Sequence, residues 1–258
     1  MKITLLDGKE WDVKELKEKA ANDDFYYNYL GRAALSSTTV KHLLSSPKTY
    51  KHILEYGQAD AQPLRDGWLM HTCVLEPHVF DKQIFVNVQS KNTKKYKDAV
   101  KEHGRVFTMK EKHDAERLAD ALLRNEMVLE KLSGADFEVA QIGNVMNFPF
   151  RAKADILKAG ESMYDLKSTS SISGWKYSAD KFGYDIQCFL YCQLYNIHPD
   201  NMGFIIIDKG SLDIGYANAT EDFYLKGMHK VHRALAAYED WFMREGSDLD
   251  QYYINIEL

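Results

Sequence analysis

At Asp136 the chain changes its hydrophobic rhythm. Upstream, apolar residues recur at helical spacing, most clearly in MKEKHDAERLADALLRNEMVLEKL, an amphipathic helix that Gly134 terminates. Downstream come three short runs of period two, DFEVAQIG, VMNFPFRAKADILK and SMYDLKSTS, which read as the successive strands of a meander. Two helical segments follow, the first holding Trp175 and the second being YDIQCFLYCQLYNI. GFIIIDKG and LDIGYANA return to strand, and EDFYLKGMHKVHRALAAYEDWFMRE is a closing helix. This order predicts a mixed α/β fold around one central sheet flanked by helices. There is no internal repeat, low-complexity run or Pro/Gly/Ser-rich linker, so residues 1–258 read as a single domain. Residues 1–135 form a mainly helical N-terminal elaboration, and 136–258 the core with its closing helix.

In the first part, LSSTTVKHLLSSP supplies a hydroxyl cap before an apolar turn, and Pro47 opens PKTYKHILEYG, which Gly57 closes. PLRDGWLMHTCVLEP continues in the same style to Pro77. With 45% hydrophobic residues and 5 prolines the chain can bury a substantial core. No charged leader precedes an apolar run, and no uncharged stretch approaches the roughly 18 residues of a membrane span, so no membrane association and a cytoplasmic location, in a bacterial host, are expected. Cys73, Cys188 and Cys192 are too few for a disulfide framework or a thiolate cluster; the i, i+4 pair Cys188 and Cys192 reads as core packing. A net charge of -5 argues against a broad basic surface, and the local basic runs KNTKKYK and SPKTYKH read as solvated faces.

The segment RAKADILKAGESMYDLKSTS carries the chemistry. In a strand alternate side chains share a face, so Asp165 and Lys167 point one way and Tyr164 and Leu166 the other. Ala159-Gly160-Glu161 is a three-residue hairpin turn, and if Lys158 faces Ser162 across it, Asp155 falls opposite Asp165. Two carboxylates so placed need a shared proton or a cation between them. A hard divalent ion such as Mg²⁺ suits one or two carboxylates plus a substrate phosphate, and Lys167 beside it can stabilise charge on a phosphoryl oxygen. That layout suggests metal-assisted phosphodiester cleavage. The alternative is a solvent-facing charge ladder of Lys153, Asp155, Asp165 and Lys167, against which stands the depletion of Asp from strands.

Asp155, a hairpin and then DLK at Asp165 to Lys167 resemble the PD-(D/E)XK nuclease signature, with Asp as second acid and no proline before the first. In YDIQCFLY, Gln187 and Tyr191 match the Q-x-x-x-Y helix of RecB-like nucleases, with Tyr184 one turn earlier. Upstream, LSSTTVKHLLSSPKTYKH and GWLMHTCVLEP are similar to the N-terminal part of RecE-type (exodeoxyribonuclease VIII-like) exonucleases, including a G-x-x-x-H step at His71. The resemblance runs from about Tyr27 to about Gly210. It implies a PD-(D/E)XK core in which His71, Asp155, Asp165 and the Leu166 carbonyl hold Mg²⁺ or Mn²⁺ and Lys167 acts beside them. Tyr184, Gln187 and Tyr191, with Ser168 and Thr169, would then lie along bound DNA, and Glu138 would be an assisting acid.

The same resemblance implies an exonuclease that digests one strand of linear double-stranded DNA from a 5′ end in phage-type homologous recombination. It further implies a ring-shaped homo-oligomer, trimer or tetramer, working beside a single-strand annealing protein. Relatives with an iron-sulfur cluster need four cysteines around the core, which this chain lacks, and there is no P-loop. The alternatives are a structure-specific or single-strand endonuclease of the same fold, and a non-catalytic DNA-binding module.

Overall fold

A computed structural model describes residues 2–255. A short hairpin, β1 (Lys2–Thr4) and β2 (Glu10–Asp12), leads into α1 (Val13–Ala20), a π turn at Phe25–Tyr29 and α2 (Leu30–Ala33). Then come α3 (Ser37–Ser45), α4 (Pro47–Tyr56), α5 (Gln62–Leu75), α6 (Pro77–Phe80), β3 (Phe85–Val86), α7 (Lys94–His103), β4 (Phe107–Thr108), α8 (Met109–Leu123) and α9 (Glu126–Leu132). The core follows as β5 (Asp136–Val145), β6 (Phe148–Lys158), β7 (Ser162–Thr169), α10 (Trp175–Lys181), α11 (Tyr184–Tyr195), β8 (Met202–Asp208), β9 (Ile214–Asn218) and α12 (Glu221–Tyr238).

The strands β5 to β9 form one mixed sheet in sequence order, antiparallel except for the parallel pair β7 and β8, whose crossover is α10 and α11. Period two explains how β8 is buried on both sides. Phe204 and Ile206 face a core shared with Val40 and Leu43 of α3, Cys188 and Phe189 of α11, and Val231 and Leu235 of α12. Ile205 and Ile207 face the other layer, where Met70, Val74 and Leu75 of α5 meet Leu118 and Leu122 of α8. The N-terminal hairpin and α1 bury Ile3, Leu5 and Leu16 against Ile142 of β5.

Two local features set the layers in place. Where β7 no longer accompanies β6, Leu35 takes its position: its amide donates to the Pro149 carbonyl (2.9 Å), and the Arg151 amide donates to the Leu35 carbonyl (2.8 Å). This bridge fixes the start of α3, whose Ser36 and Thr39 form a capping box. At the α11–α12 crossing, Gly227 lets the backbones touch, since a Cβ there would stand 1.9 Å from the Asp185 carbonyl oxygen.

The helix expected to run unbroken to Gly134 is two helices. Asn125 leaves helical backbone angles (φ -89°, ψ 120°), and its side chain accepts the Val128 amide as a new N-cap, so α9 starts afresh. No helix among the described residues is long and apolar enough to cross a membrane.

Candidate active site

The hairpin register centres the site. Lys158 pairs with Ser162 around Gly160 (φ 74°), and the ladder continues to Ile156 and Tyr164, where it stops. One step further stand Asp155 and Asp165. Here a side chain replaces the ladder: the Leu166 amide donates to Asp155 Oδ2 at 2.8 Å. On the other flank Phe137 pairs with Ile156 and Val139 with Ala154, so Glu138 is across from Asp155, yet its backbone has turned into the left-handed region (φ 51°) and makes no bridge. That conformation is uncommon for a residue with a Cβ. Glu138, Asp155 and Asp165 thus occupy one row across three adjacent strands.

Like charges in such a row repel, and the cations around it show how the fold tolerates them. Lys167 Nζ pairs with Asp165 Oδ2. Lys153 Nζ lies 3.4 Å from Glu138 Oε2 and 2.8 Å from Asp23 Oδ1. From α5, His71 Nδ1 comes within 3.4 Å of Asp155 Oδ2. Asp165 is only 1% exposed and Asp155 8%, which excludes the solvent-facing ladder.

Burial, then the charge of Asp155, pushes the Glu138 carboxyl up to about 8. Asp155 is raised too, by burial and by Asp165, with His71 and Lys167 pulling the other way. For Lys167, burial lowers the ammonium pKa, but Asp165 and Asp155 more than offset it and the net direction is upward. The lysine is therefore held as a cation.

Helix α11 braces this row from above. Gln187 Nε2 donates to Asp165 Oδ1. One turn later the Tyr191 hydroxyl donates to the Lys153 carbonyl at 3.0 Å, and Tyr195 OH donates to the Val139 carbonyl at 2.5 Å while accepting the Ala154 amide at 3.0 Å. Tyr184 forms an aromatic cluster with Trp175 (5.3 Å) and Phe204 (5.8 Å), which also meet each other (6.2 Å), and Lys167 Nζ lies 5.1 Å from the Tyr184 ring centre.

Several of the expected site residues have partners inside the fold. Tyr191 is buried and its hydroxyl donates to the strand beneath, and Gln187 donates to Asp165, so both tie α11 to the sheet. Thr169 is buried and exchanges hydrogen bonds with the Ser171 backbone, closing a turn. Ser168 is half-buried on β7. Leu166 reaches the site through its amide, and its side chain packs in the layer against α5.

The cluster of candidate ligand atoms that lie closest together is centred one strand away from the expected set. One ligand atom each from His71, Glu138 and Asp155 lies within 4.8 Å of the others, whereas Asp165 is held by Lys167 and Gln187 outside that cluster. One imidazole nitrogen and two carboxylate oxygens fit Mg²⁺ or the softer Mn²⁺. Sequence reasoning did not find Asp23, which anchors Lys153; no local pattern links residues 130 apart.

A mixed sheet with an acid on each of three neighbouring strands, and a lysine two residues after the last of them, defines a domain of the PD-(D/E)XK nuclease superfamily. Residues 36–247 match the family described as a PDDEXK-like domain of unknown function (DUF3799), and the chain belongs to that family. Its fold is similar to the crystal structure of an exonuclease by inference from Eubacterium rectale. The TM-score is 0.63 at 18% identity, over 84% of this chain and 85% of that one. The structure of SSO0001 superposes at a TM-score of 0.33 with 15% identity, over 67% of this chain and 86% of that one, too distant to bear on the argument. No curated protein matches the sequence.

Proposed function

We propose that this protein is a divalent-metal-dependent exodeoxyribonuclease that digests one strand of linear double-stranded DNA in the 5′ to 3′ direction, releasing 5′-mononucleotides. The observation that carries the hydrolytic reading is the convergence of His71, Glu138 and Asp155 within 4.8 Å, with the Lys167–Asp165 pair on the next strand. His71, Glu138 and Asp155 would hold the cation, Mg²⁺ or Mn²⁺. When bound there it supplies Lewis acidity toward water and phosphate. Lys167, kept protonated by Asp165, stabilises negative charge on the phosphoryl oxygens and orients the attacking water. Gln187 fixes Asp165 and so aims Lys167.

Strand polarity and end dependence rest on the resemblance to RecE-type enzymes, as do a ring-shaped homo-oligomer, an annealing-protein partner, a role in phage-type recombination and a cytoplasmic site of action. The test is linear duplex labelled separately at its 5′ and 3′ termini, incubated with Mg²⁺ beside a covalently closed circle. Early loss of the 5′ label with an intact circle is the expected result. Comparable cutting of the circle would replace the exonuclease with an endonuclease, and cleavage of neither would remove the hydrolytic reading.

A further inference from the structure

Every other lysine around the carboxylate row has an acid within ion-pairing distance. Lys167 has Asp165, Lys153 has Glu138 and Asp23, and Lys230 on α12 holds the buried Asp185 of α11 at 2.6 Å. Lys41 on α3 has none among the described residues. It is half-buried, and the charges acting on it are Lys167 and Asp165 from β7 and Asp185 from α11. Burial first, then Lys167, lowers its ammonium to about 8. Both acids are paired with other lysines, so Lys41 feels their charge without an ion-pair partner of its own at the edge of the site. A long apolar side chain would suit the fold better, because an unpaired, partly desolvated charge costs free energy.

The chain is nonetheless shaped around it. Gly183, which caps α11, has φ 64°, and a Cβ there would stand 3.0 Å from Lys41 Cδ and 3.2 Å from its Cγ. The lysine stem therefore runs past the start of α11 at Gly183, the residue before Tyr184, whose ring centre is 5.1 Å from Lys167 Nζ. No side chain caps that helix, so its first amides add a field of the same sign as the ammonium. A ligand that brings the missing counter-charge would be an anion beside the one that Lys167 serves.

We propose that Lys41 is a substrate-binding residue that grips a backbone phosphate of the cleaved strand, next to the scissile one. This rests on the nuclease reading above. The contact adds affinity in ground state and transition state alike, so its loss falls mainly on KM.

Lys41→Met keeps a stem to pack against Gly183 and removes the charge. The experiment measures binding of a fluorescent duplex by anisotropy in Ca²⁺ across a salt series, together with steady-state cleavage in Mg²⁺ and the melting temperature. The expected variant is folded, with KM raised about tenfold, the worth of one charge-assisted contact. Its slope of log affinity against log salt is shallower by about one. Lys41→Arg should restore both. A folded Lys41→Met protein with unchanged slope and KM overturns the assignment and leaves the nuclease reading standing. A wild-type protein that cleaves no DNA overturns both. Should Lys41→Met fail to fold, Lys41→Arg decides: defects in KM and slope as large as those of Lys41→Gln would show that charge there does not matter.

Discussion

Glu138 stands directly across the β5–β6 pair from Asp155 with its backbone at φ 51°, and the strained turn brings its carboxylate to the same cluster as Asp155 and His71. A residue held in that region persists only when the surroundings over-determine it. Here they do so through Lys153 on the neighbouring strand.

The raised Glu138 carboxyl makes stability pH-dependent in a defined direction. Its pKa is about 8 when folded and about 4.5 when unfolded, so between those values the folded chain binds the extra proton. Stability of the metal-free protein is therefore greatest below about pH 4.5 as far as this group is concerned, and falls as pH rises toward 8. Melting temperatures in EDTA should decline over this window for the wild type and less steeply for Glu138→Gln. Superimposable curves would contradict the assignment. Cation affinity should climb over the same range, because ligand and proton compete for the carboxylate.

Asp155→Asn separates folding from metal binding. The amide oxygen can still accept the Leu166 N–H, while one charge leaves the row. The metal-free variant should be more stable by about 1 kcal/mol, roughly 2–4 °C in melting temperature. Its Mn²⁺ affinity by calorimetry should drop sharply. Unchanged Mn²⁺ affinity would take Asp155 out of the cluster.

Lys167→Ala should lower turnover by about 100-fold or more, the cost of one preorganised charge donor. Because it strands a buried carboxylate at Asp165, it should also cost about 3 kcal/mol of stability. Mn²⁺ binding through His71, Glu138 and Asp155 should largely survive. A variant with full turnover would remove Lys167 from the chemistry.

Gly227→Ala tests the helix crossing. The added Cβ meets the Asp185 carbonyl at 1.9 Å, so α11 and α12 must separate, at a cost of roughly 1–3 kcal/mol. Because α11 carries Gln187, activity should fall along with stability. A variant as stable and active as the wild type would show that the crossing is looser than the geometry requires.

The hairpin, its register and the sheet were readable because they depend on alternation and on a turn with Gly160, both local in the chain. Which layer covers each face was not. Alternation tells that Asp165 and Lys167 share a side, but nothing in the strand says that Gln187 will close over that side or that the row will be buried. Gln187 and Tyr191 were found as a motif, yet their direction is a property of how α11 lies on the sheet. Glu138 entered as an assisting acid, and its approach to His71 and Asp155 was not legible, because its left-handed backbone has no sequence marker in a non-glycine residue. The helix break at Asn125 was legible in principle, as a capping residue three places before an amide it can accept, but helical periodicity on both sides masked it.

The bridge from Leu35 to β6 has a practical consequence for anyone trimming this protein. A fragment starting at the meander would leave the Pro149 carbonyl and the Arg151 amide without their mates, beside the apolar side chains of Phe148 and Phe150. Such a bare edge invites another molecule to dock there, so shortened versions should precipitate or swap segments rather than behave as compact minimal cores.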